Sequence, residues 1–251
     1  MKQENCKILK LEEFQKGIYE LTFISKYISK KSKPGQFVNI KIDSSSQPLF
    51  RRPFSVSDVE GDKVKLMFNV FGIGTKKLIT KKIAETIDVI GPLGNSFVIN
   101  SKFKNPVIIA GGLGAAPFPF LTKKINNNVK TILGARSENL IITKNLKNIF
   151  VSTDDGSMGF KGNVVELAKK LLKMNKIKPD VIYTCGPSVM LKAVARFAEE
   201  NKIKCYASWE CEMACGIGLC QGCPIEIKNG NKKFKLVCCE GPNFDTSEIK
   251  I

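Results

Sequence analysis

Hydrophobic and polar positions change rhythm along this chain, and the changes mark out its parts. Up to about residue 98, short segments rich in β-branched and aromatic residues recur at 6–11, 18–23, 37–42, 63–68 and 86–90. Each predicts a strand. Turn chemistry separates them at Pro34-Gly35, Glu60-Gly61-Asp62 and Gly91-Pro92-Leu93-Gly94. Short strands at this spacing, without long helices, predict a small antiparallel barrel. The one helix expected here is 75–82, ahead of the last strand.

The pattern then becomes alternating. Val107-Ile108-Ile109-Ala110 is wholly apolar and runs into Gly111-Gly112-Leu113-Gly114, after which a helix is expected from Ala116. Further buried strands are expected at 131–133, 149–152 and 181–184, with helical periodicity over 164–174 and 188–201. Strands alternating with helices predict a parallel sheet covered on both faces. Residues 205–251 are cysteine-rich and lack this rhythm. The chain therefore reads as multi-domain α+β, with a barrel over 1–99, an α/β domain over 100–203 and a cysteine-bearing segment over 204–251.

That last segment carries the most specific chemistry. Cys215, Cys220 and Cys223 have the spacing C-x4-C-x2-C, and Cys238 follows fifteen positions later. This is the ligand spacing of a plant-type [2Fe–2S] site. Glycines at 216, 218 and 222 suit a loop that wraps closely around a cluster, since glycine tolerates positive φ and lets N–H groups approach sulfur. A zinc tetrathiolate is the main competitor, but zinc sites usually pair two C-x2-C knuckles and only Cys220/Cys223 has that spacing. Spacing alone leaves Cys238 and Cys239 both open as the fourth ligand. No apolar h-region follows Met1-Lys2-Gln3-Glu4-Asn5, so a cytoplasmic, reducing setting is expected and a disulfide framework is not.

Composition narrows the chemistry further. The net charge of +17 would suggest nucleic acid, but only four of the 40 basic residues are arginines and the lysines are scattered. Diffuse lysine reads as solvated surface, so no nucleic-acid partner is expected; a zinc-stabilised basic module is the different-class alternative. No apolar run is long enough to span a bilayer, and no membrane role is expected. Histidine is absent, which removes Rieske-type ligation and imidazole acid–base chemistry and leaves the reaction to cofactors.

Candidate nucleotide contacts precede the cysteines. In Arg52-Pro53-Phe54-Ser55, read as the end of a barrel strand, the guanidinium suits a pyrophosphate, Ser55 a flavin edge and Phe54 a ring face. Gly72-Ile73-Gly74-Thr75 precedes a helix and offers backbone N–H groups to a second phosphate. Gly111, Gly112 and Gly114 form a strand–turn–helix junction, and Cys185-Gly186-Pro187 closes a later strand. Both turns fall at strand carboxyl ends, where open α/β sheets bind ligands, so Cys185 is expected to line a nicotinamide pocket. Asp154-Asp155 would repel a 2′-phosphate and favours NAD over NADP, although Arg136-Ser137 could serve one.

The order RPFS, GIGT, GPLG, GGLGAAP, CGP and C-x4-C-x2-C…C, spanning nearly the whole chain, resembles the ferredoxin–NADP reductase superfamily. More narrowly it resembles the electron-transfer subunits of class B dihydroorotate dehydrogenase, above all in Met213-Ala214-Cys215-Gly216-Ile217-Gly218-Leu219-Cys220 and the later C-x-x-G-P. The resemblance implies a six-stranded FAD barrel, an NAD domain and a C-terminal [2Fe–2S] loop. It implies FAD contacts at Arg52, Pro53, Phe54 and Ser55, at Met67, Phe68 and Asn69, and at Gly74 and Thr75; relatives often carry arginine where Asn69 stands. The family's fourth ligand lies three positions before the Gly of the G-P pair, which selects Cys238. It further implies an FMN-containing dihydroorotate dehydrogenase catalytic subunit as partner, in a heterotetramer of two copies of each. Electrons from dihydroorotate would pass through the cluster and FAD to NAD+, in pyrimidine biosynthesis. The alternative is a flavin/[2Fe–2S] subunit of a ferredoxin:NADP, sulfide dehydrogenase or sulfite reductase complex, against which RPFS weighs.

Overall fold

The strands of the first hundred residues close on themselves. The structure is a computed structural model and describes residues 1–43, 45, 47–125, 128–228 and 232–250. β1 (Lys2–Gln15), β2 (Ile18–Ile24), β3 (Phe37–Lys41), β4 (Arg52–Glu60), β5 (Lys63–Asn69) and β6 (Thr86–Leu93) form a closed antiparallel barrel in the order β1-β2-β5-β4-β3-β6. β1 is long enough to serve two neighbours. Its first half pairs with β6 and its second half with β2, with register shifts between Ile8 and Lys10 and between Glu13 and Gln15. Such irregularities bend a strand and help a sheet close. Alternate inward side chains, among them Ile8, Leu21, Val38, Val56 and Leu66, fill the interior.

Two local readings change. β4 has no counterpart among the five expected strands, and Arg52-Pro53-Phe54-Ser55 stands at its beginning, not at a strand's end. Ser57 and Asp58 are buried beside Phe54 and Val56, so polar residues interrupt the apolar pattern. Asp58 is paired with Lys123 at 3.3 Å. The six-residue helix α1 (Lys26–Lys31) is held by Ser25, whose Oγ accepts from the Ile28 N–H at 3.0 Å. α2 (Ile73–Leu78) begins inside the GIGT motif and ends earlier than the expected 75–82.

The second part contains β7 (Pro106–Gly111), α3 (Phe118–Lys124), β8 (Lys130–Ala135), β9 (Ile149–Thr153), β10 (Phe160–Lys161), α4 (Val164–Lys173), β11 (Val181–Cys185), α5 (Ser188–Glu200) and β12 (Lys204–Ser208). A short 3-10 turn (Gly112–Ala115) intervenes before α3, so the helix starts later than Ala116. Ile108, Ala110 and Tyr183 face α3 and the barrel side, while Val107, Ile109 and Ile182 face α4 and α5. Helices on both faces explain why these strands are apolar throughout.

The C-terminal segment is joined to this sheet more closely than an appendage would be. After β13 (Pro224–Glu226) and β14 (Phe234–Leu236), β15 (Asn243–Asp245) pairs antiparallel with β12 at the edge of a seven-stranded sheet ordered β10-β9-β8-β7-β11-β12-β15. The boundary expected between 203 and 204 therefore precedes a strand of the same sheet. Asparagines then tie the segment to the barrel end. Asn95 Nδ2 donates to Glu240 O and Asn243 O, both at 2.8 Å, and Asn95 Oδ1 accepts from the Asn243 N–H at 3.0 Å. Asn243 Nδ2 donates to Gly35 O at 3.0 Å. Gly35 has φ +90°, and a Cβ there would lie 2.6 Å from Asn243 Nδ2, so the close approach requires glycine. Asn95→Ala would strip two carbonyls and one N–H of their partners. Denaturant unfolding should show a loss of about 1–3 kcal/mol, the cost of leaving buried polar groups unpaired.

Candidate functional site

The FAD-type motifs converge although they are separated in sequence. β4 and β5 run side by side, bringing Pro53, Phe54 and Ser55 beside Met67, Phe68 and Asn69. Phe54 meets Phe68 edge-on at 5.5 Å. The Arg52 side chain lies over Gly74, where a Cβ would come within 3.2 Å of its Cγ and Nε. Arg52 Nη1 donates to Phe50 O and Arg51 O. Thr75 Oγ1 accepts from the Phe71 and Gly72 N–H groups at 2.9 and 3.2 Å, closing the turn that opens α2.

These segments form one wall of a cavity of about 270 Å³. Leu113, Ala116 and Pro117 from the glycine-rich turn form a second wall. Trp209, Glu210, Cys211, Met213 and Pro242 from the cysteine-bearing segment form a third, and Phe71 stands 90% exposed. A flavin fits this setting: aromatic and apolar walls for a ring, with Ser55, Asn69 and Thr75 supplying a few polar contacts.

The two turns at the sheet's strand ends also meet. Cys185 is in register with Ala110, so Gly111, Gly112 and Gly114 face Cys185 and Gly186 across neighbouring strands. A Cβ on Gly114 would lie 2.4 Å from Cys185 O, and one on Gly111 would lie 2.6 Å from Met190 Sδ. Gly112, at φ +52°, has open space at its Cβ position. The turns pack backbone on backbone and leave an unobstructed ledge, which suits a dinucleotide. Burial pushes the Cys185 thiol up, and Glu210 adds to this. Burial likewise raises the Glu210 carboxyl. Asp154 and Asp155 sit at the end of β9, their N–H groups donating to Ala135 O and Arg136 O at 3.1 Å. The Ser157 hydroxyl and N–H hold the Asp155 carboxyl below its usual range.

The four expected ligands fall into two pairs. Cys220 contacts Cys215, and Cys238 contacts Cys223. Among the described residues no three His, Cys, Asp or Glu side chains gather closely enough for a single ion. Two pairs fit a two-iron cluster, in which each tetrahedral iron takes two thiolates beside its bridging sulfides. Burial opposes ionisation of Cys215, yet N–H groups of Cys220, Ile217 and Leu219 outweigh it and bring the thiol down to about 6. Gly216 and Gly218 have φ +69° and +86°; the third positive φ of the loop falls on Gln221, not on Gly222. Gly216 is pressed against Asn39, whose Nδ2 donates to Cys215 O at 3.2 Å, so barrel strand β3 holds the backbone of Cys215.

Two cysteines outside the expected ligand set lie close by. Cys211 touches Cys223, and burial pushes its thiol up to about 12. Cys239 Sγ is 3.5 Å from Cys238 Sγ and approaches Gly218. Trp209, Glu210 and Cys211 carry no motif. The signal for them is positional, since they follow directly on β12 at the same strand ends that pointed to Gly111 and Cys185.

Comparison with known proteins agrees with this geometry. The family profile described as the iron–sulfur cluster binding domain of dihydroorotate dehydrogenase B matches residues 210–250. The electron transfer subunit of dihydroorotate dehydrogenase B (NAD(+)) from Geobacillus sp. is 34% identical over 260 residues, covering 99% of each chain. The subunit of the same name from Fusobacterium nucleatum is 34% identical over 262 residues, covering 100% of each. A chain from the structure of an NADH-dependent reduced ferredoxin-NADP oxidoreductase, an enzyme of flavin-based electron bifurcation, superposes with a TM-score of 0.85. It shares 30% identity and covers 98% of this chain and 90% of its own.

Because the Gly114 contact is with backbone, it has little room to yield. Gly114→Ala should cost about 1–3 kcal/mol in unfolding free energy, as overpacking does. An unchanged thermal midpoint would show that the two turns part easily.

Proposed function

The chain belongs to the electron transfer subunits of NAD-dependent dihydroorotate dehydrogenase B, and from that premise we propose how its parts divide the work. It is an oxidoreductase subunit of pyrimidine biosynthesis that uses FAD, a [2Fe–2S] cluster and NAD. Its partner is a catalytic subunit, which we take to be FMN-containing and to supply electrons from dihydroorotate, in a heterotetramer of two copies of each. Among the described residues no helix is long and apolar enough to cross a membrane. Nine unpaired cysteines support a reducing, cytoplasmic setting.

The observation that carries this reading is the shared cavity wall. Met213 and Pro242, from the segment bearing the thiolates, face the same space as Ser55 and Asn69 of the barrel and Leu113 of the glycine-rich turn. When bound, flavin exchanges a hydride with nicotinamide and single electrons with a cluster, which is why it belongs between them. Arg52, Gly74 and Thr75 hold its phosphates and orient it. Gly111, Gly112, Gly114 and Gly186 let a dinucleotide backbone approach, and buried Cys185 stays a neutral thiol beside it. Asp154 and Asp155 disfavour a 2′-phosphate. Cys215, Cys220, Cys223 and Cys238 hold the irons.

Cys238→Ser should lower iron from about two atoms per chain to near zero while the flavin absorbance remains. Cys239→Ser should keep both. The reverse pattern would make Cys239 the fourth ligand.

A second reading rests on the likeness to the ferredoxin-NADP oxidoreductase chain, which covers nearly as much of the sequence. Mixing the purified chain with a dihydroorotate dehydrogenase catalytic subunit, dihydroorotate and NAD+ separates the two. Orotate and NADH should appear together, and NADH should reduce ferricyanide through the chain alone. Absence of orotate with a competent catalytic subunit would favour the other partner.

A further inference from the structure

Asn39 occupies the polar position of Phe37-Val38-Asn39-Ile40, where alternation along a barrel strand would turn its side chain to solvent. Val38 and Ile40 do fill the barrel interior. Phe37 and Asn39 take the outer face. Yet Phe37 packs into the apolar group that includes Cys223 and Cys238, and Asn39 is 0% exposed. The cysteine-bearing segment covers this face of β3, and Asn39 lies buried beneath it.

Burying an amide costs free energy unless its groups are paired. Among the described residues the Asn39 side chain makes one hydrogen bond, from Nδ2 to Cys215 O at 3.2 Å, and Oδ1 is left without a partner. Turning the amide would set Oδ1 against Cys215 O, one acceptor facing another. The approach is also close. A Cβ on Gly216 would come 2.4 Å from Asn39 Nδ2, and the φ of +69° there suits glycine. The Cys215–Gly216 peptide is thus held at its carbonyl and at the following α-carbon.

Directly beyond that peptide, the loop turns its N–H groups onto sulfur. The Ile217 N–H donates to Cys215 Sγ at 3.5 Å and the Cys220 N–H at 3.4 Å. Donors aimed at a ligand sulfur stabilise the added negative charge of a reduced cluster and raise its potential. Asn39 is itself fixed in the barrel. It stands in register with Pro53 of the proposed flavin segment. Its carbonyl accepts from Arg51 Nη1 at 3.5 Å, and Arg51 Nη2 pairs with Asp88 at 2.7 Å.

We propose that Asn39 is a positioning residue for the iron–sulfur cluster. By holding the Cys215–Gly216 peptide it keeps the Ile217 and Cys220 N–H groups aimed at the Cys215 sulfur, and so tunes the cluster's reduction potential from the flavin barrel. This rests on the assignment of Cys215 as a cluster ligand. It adds a residue that lies outside the cysteine loop.

Two variants separate the hydrogen bond from the packing. Asn39→Leu fills nearly the same volume without a donor, and Asn39→Ala empties it. Electron paramagnetic resonance at controlled potentials reads the reduced cluster in each, with iron and flavin counted alongside. Both variants should reduce less readily, by roughly three- to tenfold in the reduction equilibrium, the range for one neutral hydrogen bond. Tenfold corresponds to about 59 mV for a one-electron couple. Loss of iron with FAD retained also supports the proposal, since the loop then no longer holds the metal. A wild-type or higher potential in Asn39→Leu overturns it. So does loss of FAD together with iron in both variants, which would make Asn39 a residue of the barrel fold alone. If the wild-type chain gives no [2Fe–2S] signal, the cluster assignment itself fails, and that outcome is seen before any variant is made.

Discussion

The exchange of hydrogen bonds between Asn95 and Asn243 is the contact on which the rest of the molecule depends. Asn95 comes just after the last barrel strand, and Asn243 opens the edge strand of the sheet. Their amides satisfy one another's backbone groups and those of Gly35 and Glu240. Three otherwise separable parts are thereby fixed at one point: the barrel end, the sheet edge and the segment carrying Cys238. Without it, barrel and cysteine-bearing segment would share the Asn39–Cys215 hydrogen bond and apolar contacts such as those of Phe37, Leu93 and Phe244, which are non-directional and tolerate sliding. A directional network specifies one arrangement.

The sequence disclosed most where chemistry demands particular residues. The cysteine spacing, the glycine turns at 111–114 and 185–186 and the RPFS segment are legible because few residue types can do their work. In the structure the two glycine turns pack against each other, RPFS lies beside residues 67–69, and the cysteines meet in two pairs. Strands and helices with clean periodicity, such as those around Ile108, Val164 and Val194, were legible for the same reason. What escaped were elements whose patterns are mixed by their contacts. β4 buries Ser57 and Asp58, the latter paired with Lys123 from α3, so its alternation looks broken. β12 and β15 are short and lie within a stretch dominated by cysteines, and their membership of the sheet depends on pairing between residues far apart in sequence.

The cavity wall shows the same limit. Trp209, Glu210 and Cys211 belong to no recurring motif, and only the course of β12 places them at the site. The pairing of cysteines could not be read from spacing either. It follows from how β14 and the turn after it return Cys238 to Cys223 while Asn39 and Gly216 position the first loop. Surface charge, by contrast, contributes little to this architecture. Several of the ion pairs involve exposed lysines, such as Lys2 with Glu4 and Lys250 with Glu226, and pairs of this kind contribute at most about 1 kcal/mol each.

The antiparallel edge strand has a consequence for how the molecule is made. Residues 243–245 leave the ribosome after every other strand of the sheet, yet they close its edge and seat the residues next to Cys238. While synthesis lies between Cys223 and Cys238, Cys215, Cys220 and Cys223 are present but the fourth expected ligand is not. The nascent chain thus passes through a stage in which three of the four expected ligands are present without the fourth. The complete set of four expected ligands is available only once the chain has passed Cys238.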